Sequence, residues 1–123
     1  MADISTQSSH VITATQDGAV AVFRLKGEID LHSSPDLRTD IIALLNKGEV
    51  KTLVLNMAEV PYVDSSAIAV MVEALQKLRK TGKVCLTNLA PRVKGLLQIA
   101  RLDSIFTVTD TEAEALTATG GAA

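Results

Sequence analysis

The chain has 123 residues, 47% of them hydrophobic and 21% charged, with a formal net charge of −2. That length makes a single domain whose core needs no staples, and the charge balance excludes a disordered chain and any general attraction to nucleic acid or anionic lipid. Only Phe23, Tyr62 and Phe106 are aromatic, so base-stacking platforms are excluded and aliphatic side chains must build the core.

Residues 1–9 are small and polar and are expected to form a flexible N-terminus. Val11–Thr15 and Val20–Leu25 then read as strands around a Gln16-Asp17-Gly18 turn, a hairpin pattern. Alternation puts Val20, Val22 and Arg24 on one face and Phe23 and Leu25 on the other. Gly27-Glu28-Ile29-Asp30 ends the strand. Ser33 or Ser34 as cap, Pro35 at or near the first helical position and Asp36 favourable to the dipole mark a helix start. Leu37, Ile41, Leu44 and Leu45 recur at helical spacing until Gly48.

Thr52–Met57 is apolar almost throughout, as a buried strand in a mixed or parallel sheet is. Past Asp64-Ser65-Ser66, Ile68, Met71, Leu75 and Leu78 form one stripe, with Glu73, Gln76, Lys77 and Lys80 opposite, and Gly82 is the expected stop. Glu73 stands four residues before Lys77, a favourable pair. Val84–Asn88 is a further strand and closes a βαβ crossover. Pro91 opens a short helix with Val93, Leu96, Leu97 and Ala100 inward. Ile105–Val108 reads as a short edge strand, and Asp110 or Thr111 caps a last helix through Leu116. The predicted fold is α/β (α+β): a mixed four- to five-stranded sheet with about four helices packed mainly on one side. One domain spans residues 10–117, and residues 118–123 form a flexible C-terminus.

Few arrangements support chemistry. The nucleophile elbow Gly-x-Ser-x-Gly is missing, and of the two histidines His10 lies in a segment expected to fray, leaving His32 as the only base. Two histidines and Cys85 fit no standard metal spacing, and the seven glycines make no phosphate-cradling loop. Cys85, in a strand interior, reads as a small buried hydrophobe. The chain is therefore expected to have no catalytic residues, cofactor or metal. No segment reads as a signal peptide and no apolar run approaches about 18 residues, so a cytoplasmic protein without membrane insertion is expected.

Asp64-Ser65-Ser66 joins an apolar strand to the clearest helix, and an acid or hydroxyl there reads first as a helix cap. The same position also suits a reversible phosphate, because the hydroxyl lies at the positive end of the helix. It lies, too, beyond the carboxyl end of a strand, where α/β folds place sites.

Gly27-Glu28-Ile29-Asp30, the Asn56-Met57 strand end, Val63 through Val70 with its Asp64-Ser65-Ser66, and the block from Asn88-Leu89-Ala90-Pro91 to Leu102-Asp103 together resemble the STAS domains of bacterial anti-sigma factor antagonists. The resemblance covers about residues 10–117. It implies a binding module that captures an anti-sigma factor serine kinase when unphosphorylated, frees a sigma factor, and lets go when Ser65 is phosphorylated. A phosphoserine phosphatase would reset it. Asp30 and Asp64 would flank Ser65, with His32, Ser33, Ser66 and Ala67 on the same partner surface of a monomer or weak dimer. The alternatives it implies are a non-phosphorylated STAS subunit of a membrane lipid-transport ABC complex and a STAS scaffold of a stress-signalling complex. The sequence departs from the family at Ala67 and Ala69, where glycine is common. Alanine favours helix by about 1 kcal/mol per site over glycine, and the methyl of Ala67 is expected to narrow the approach to Ser65.

Overall fold

The computed structural model describes residues 2–78 and 82–119. Its elements in chain order are β1 (Ala2–Asp3), β2 (Val11–Asp17), β3 (Val20–Lys26), α1 (Ser34–Asn46), β4 (Thr52–Glu59), α2 (Ser65–Leu78), β5 (Lys83–Thr87), α3 (Pro91–Ile99), β6 (Thr107–Thr109) and α4 (Glu112–Thr119). The strands lie side by side in chain order in one mixed sheet. β1, β2 and β3 pair antiparallel, whereas β3 to β6 pair parallel through helical crossovers.

The sheet has six strands, not four or five. The extra strand is β1, where Ala2 pairs with Gln16 and Asp3 with Thr15; two residues are too few to display a period of two. The N-terminal segment is likewise tied down. Ile4 N–H donates to the Ala14 carbonyl at 2.8 Å, and the amides of Gln7 and Ser8 donate to the two carboxylate oxygens of buried Asp40 in α1, at 2.8 and 2.9 Å. His10, expected to fray, hydrogen-bonds through its backbone and ring to Lys26. Small polar residues without periodicity read as loose, and nothing local reveals that their partner is a carboxylate more than 30 positions away. Residues 120–123, part of the expected flexible C-terminus, lie outside the described residues.

The predicted faces of β3 hold. Ala21, Phe23 and Leu25 point into the main core, while Val20 and Val22 join Val54, Cys85 and Ala115 on the opposite face beneath α4. α1, α2 and α3 cover the first face with Leu37, Ile41, Leu44, Met71, Val93 and Leu97. Most helices thus lie on one side. α2 is rotated slightly from its predicted stripe: Ala67, Val70, Met71, Ala74 and Leu78 are buried, and Ile68 and Leu75 stand at the margin. Alanines at 67 and 74 bring α2 close to its neighbours, a packing role that hydropathy spacing weights too little. Glu73 consequently faces α1, where its carboxylate makes a two-pronged pair with Arg38 at 2.6 Å, and Lys77 reaches Asn46. β6 starts at Thr107, two residues later than expected, and Thr111 caps α4 in a reciprocal capping box with Glu114.

Gly82 immediately precedes β5, and a Cβ built there would collide with the Lys51 carbonyl oxygen and stand 2.9 Å from Leu78 Cβ. The backbone approach itself requires glycine. Gly82→Ala is expected to destabilise the protein by about 1–3 kcal/mol, the usual range for inserting a methyl into a packed site, read as a lowered urea midpoint at unchanged slope.

Candidate functional site

Parallel strands β3 and β4 end at the same edge of the sheet, and the loops leaving them run side by side. Gly27, in the left-handed region at φ +74°, turns the chain where a side chain would press on the His10 ring, and donates its N–H to Glu59 O at 2.9 Å. Ile29, fully buried, then forms a parallel bridge with Val63. Its N–H donates to Tyr62 O, and its carbonyl accepts from Asp64 N–H, each at 3.2 Å. Asp30 and Asp64 therefore emerge as neighbours on adjoining loops, although 34 positions separate them. Tyr62, two residues before Asp64, lies under the Arg92 guanidinium of α3 at 4.7 Å, which ties α3 to this end of the sheet.

Asp64 is the cap of α2. Its Oδ1 accepts the N–H of Ser66 at 2.9 Å, the N–H of Ala67 at 3.3 Å and the hydroxyl of Ser66 at 2.5 Å. Its Oδ2 accepts the N–H of Leu31 at 3.1 Å, across the two loops. These donors, the Ser66 hydroxyl first, hold the Asp64 carboxyl below its ordinary pKa. The Ser66 hydroxyl also accepts from Ser34 Oγ at 3.0 Å, and Ser34 is buried at the start of α1. Ser66 is thus used twice inside the molecule. Ser65, one residue earlier, is exposed, and no hydrogen bond engages its hydroxyl among the described residues. Two adjacent serines have opposite fates, because the first turn directs one toward α1 and the other to solvent.

The Asp30 turn is built the same way. Asp30 Oδ1 accepts the N–H groups of His32 at 2.9 Å and Ser33 at 3.2 Å, and the first of these does most to lower the Asp30 pKa. The Asp30 carbonyl accepts from Ser33 and Ser34 N–H. Ser33 occupies the cap position of α1 but makes no side-chain cap; its hydroxyl turns back to accept the Asp30 N–H at 2.9 Å. The expected cap from Ser33 or Ser34 is replaced by the Asp30 turn; Ser34 is the first helical residue and Pro35 the second, in the first turn as expected. His32 is exposed.

Of the residues assigned to this surface from sequence, Asp30, His32, Ser33, Asp64, Ser65 and Ser66 come together. Ala67 does not belong to the exposed set: it is fully buried, because the third position of the first turn points with Val70, Met71 and Ala74 into the core. Its methyl therefore cannot narrow the approach to Ser65. Leu31, which sequence reasoning passed over, is 72% exposed between Asp30 and His32. The available signal was a large apolar residue that fits neither the strand alternation before it nor the helical spacing after it. Glu28 on the loop and Asp36 in the first turn of α1 are exposed and line one depression with Asp30, His10 and His32. Among the described residues no group of three His, Cys, Asp or Glu side chains is placed to hold a metal ion, and no helix is long and apolar enough to cross a membrane.

Known proteins match this chain along most of its length. The family model "STAS domain" matches residues 11–115. An anti-sigma F factor antagonist of Paenibacillus polymyxa is 28% identical over 99 residues, 80% of this chain and 85% of that protein. The anti-sigma-B factor antagonist of Bacillus subtilis is 31% identical over 86 residues, 69% of this chain and 77% of that protein. Among solved structures, the anti-sigma factor antagonist SpoIIAA in its unphosphorylated form superposes with a TM-score of 0.72 at 24% identity, covering 95% of this chain and 99% of that one. A phosphorylated form of SpoIIAA from Bacillus gives 0.71 at 24% identity, over 94% and 99% of the two chains. The chain belongs to the STAS domain family.

Proposed function

We propose that this protein is an anti-sigma factor antagonist whose binding is switched by phosphorylation of Ser65. The observation that supports it best is the division between the two serines. Ser66 is bonded to Asp64 and Ser34, whereas the Ser65 hydroxyl is free and exposed at the first turn of α2. The likeness to anti-sigma factor antagonists of P. polymyxa and B. subtilis supports the partner class.

In this reading the unphosphorylated surface around Asp30, His32, Ser33, Asp64 and Ser65 binds an anti-sigma factor that is also a serine kinase, and a sigma factor is released. Ser65 Oγ then attacks the γ-phosphorus of ATP, the bond to the bridging oxygen breaks, ADP leaves and the hydroxyl proton passes to a base. Asp64 is a poor base, because its carboxylate accepts four hydrogen bonds and its pKa is lowered. The base therefore comes from the kinase, and this chain supplies an acceptor, not a catalytic group. A phosphoserine phosphatase returns the protein to its binding form, and the whole cycle runs in the cytoplasm.

The test is phosphorylation by the cognate kinase with ATP, followed by intact-mass measurement. Wild type and Ser66→Ala are expected to gain one phosphate and Ser65→Ala none. Undiminished labelling of Ser65→Ala would overturn the assignment.

A further inference from the structure

Four large hydrophobic side chains are strongly exposed among the described residues: Ile12, Leu31, Ile99 and Ile105. Single exposed apolar residues are ordinary. Leu31 differs in what holds it. Five consecutive backbone amides, from Asp30 to Ser34, are hydrogen-bonded: Asp30 N–H to Ser33 Oγ, Leu31 N–H to Asp64 Oδ2, His32 N–H to Asp30 Oδ1, and Ser33 and Ser34 N–H to Asp30 O. The loop is fixed, its apolar tip is 72% exposed, and the bond that orients that tip comes from the cap of the Ser65 helix.

The geometry points to Leu31 as the apolar anchor by which the partner recognises this surface, seated in an apolar pocket with a basic rim on the anti-sigma factor kinase. The inference rests on the proposed function and adds what the partner must look like. Charge complementarity indicates the rim: Asp30 precedes Leu31, Asp64 holds its amide, and Glu28 and Asp36 line one shallow depression with Asp30, His10 and His32, while the arginine of α1, Arg38, is paired with Glu73. A fixed loop loses little conformational freedom on binding, so burial of the leucine side chain is offset by little ordering cost. Interface energy concentrates in such few central, desolvated anchors. Asp64 thus has two tasks, one oxygen on the helix that displays Ser65 and the other on the loop that displays Leu31.

The experiment uses the kinase that phosphorylates Ser65 in the test above, with Kd from calorimetry and steady-state phosphorylation of each variant. Leu31→Ala is expected to raise Kd and the KM for protein substrate roughly 10- to 30-fold with kcat unchanged. Leu31→Met should stay within about threefold of wild type, because a volume-conserving apolar side chain still fills the pocket. Asp36→Lys should weaken binding and flatten its salt dependence. Melting temperatures should match wild type, since Leu31 is exposed. Leu31→Ala and Leu31→Asp binding within twofold of wild type, while wild type is still phosphorylated at Ser65, would overturn the anchor and leave the proposed function standing. A wild-type protein that the kinase neither binds nor modifies would overturn both.

Discussion

Phosphorylation of Ser65 is expected to raise the Kd for the anti-sigma factor about a thousandfold while leaving the melting temperature within a few degrees. The added group brings about −1.5 to −2 charges at neutral pH. A helix N-terminus normally welcomes charge of that sign, by about 0.3–1 kcal/mol, but the amides of Ser66 and Ala67 already donate to Asp64 Oδ1. The phosphate finds the nearest donors taken and a carboxylate beside it, so it projects outward from an exposed position. Attraction to the dipole and repulsion from Asp64 oppose each other, and the fold is little affected. The interface bears the difference. Desolvation of a dianion and its mismatch with a surface fitted to a neutral hydroxyl cost about 4 kcal/mol, which is the thousandfold. Calorimetry on the phosphorylated protein beside a thermal melt reads both quantities. Ser65→Asp carries half the charge and should weaken binding less. Equal affinity of the phosphorylated and free forms would remove the switch, and a large loss of melting temperature would move it from the interface to the fold.

Much of this arrangement is legible in the sequence because it is local. Asp64-Ser65-Ser66 announces a helix start, Pro35 marks the first turn of α1, and alternation in Val20–Leu25 assigns two faces that the structure keeps. What escapes is what depends on distant partners. Asp40 looks like an ordinary surface position of α1 and instead secures the amides of Gln7 and Ser8. Arg24 on β3 holds Glu112 of α4 in a two-pronged pair at 2.7–2.9 Å, with Asn56 of β4 donating to the same carboxylate, so α4 on the second face is fastened by residues from two strands. The family pattern brought Asp30 and Asp64 into one site, but placed Ala67 on its surface because the pattern records neighbours in sequence and not the direction of a side chain in the first helical turn. The two misses have different causes: Ala67 is buried because its place in the first turn of α2 faces the core, whereas Leu31 stands exposed on a loop whose amide is held across to Asp64.

Asp64→Ala should destabilise the protein and lower the melting temperature by several degrees. The Ser66 and Ala67 amides lose their side-chain cap, and the Leu31 amide and Ser66 hydroxyl lose the same acceptor. Asp64→Asn separates the two tasks. Its amide oxygen can serve the Ser66 and Ala67 donors, so the helix cap persists, but its NH2 group would face the Leu31 N–H, donor against donor. Stability should fall less than in Asp64→Ala, while binding of the kinase falls further than stability explains because the Asp30–Ser33 loop is released. Acid provides an independent check. The Asp64 pKa is lowered in the folded protein, so its contribution is fully present above the unfolded value of about 3.9 and is lost as the pH falls through the lower folded value. The stability gap between wild type and Asp64→Ala should therefore be constant near neutrality and narrow on acidification below about pH 4. A gap that stays constant to pH 2 would show that the carboxylate's charge is not what holds the first turn of α2.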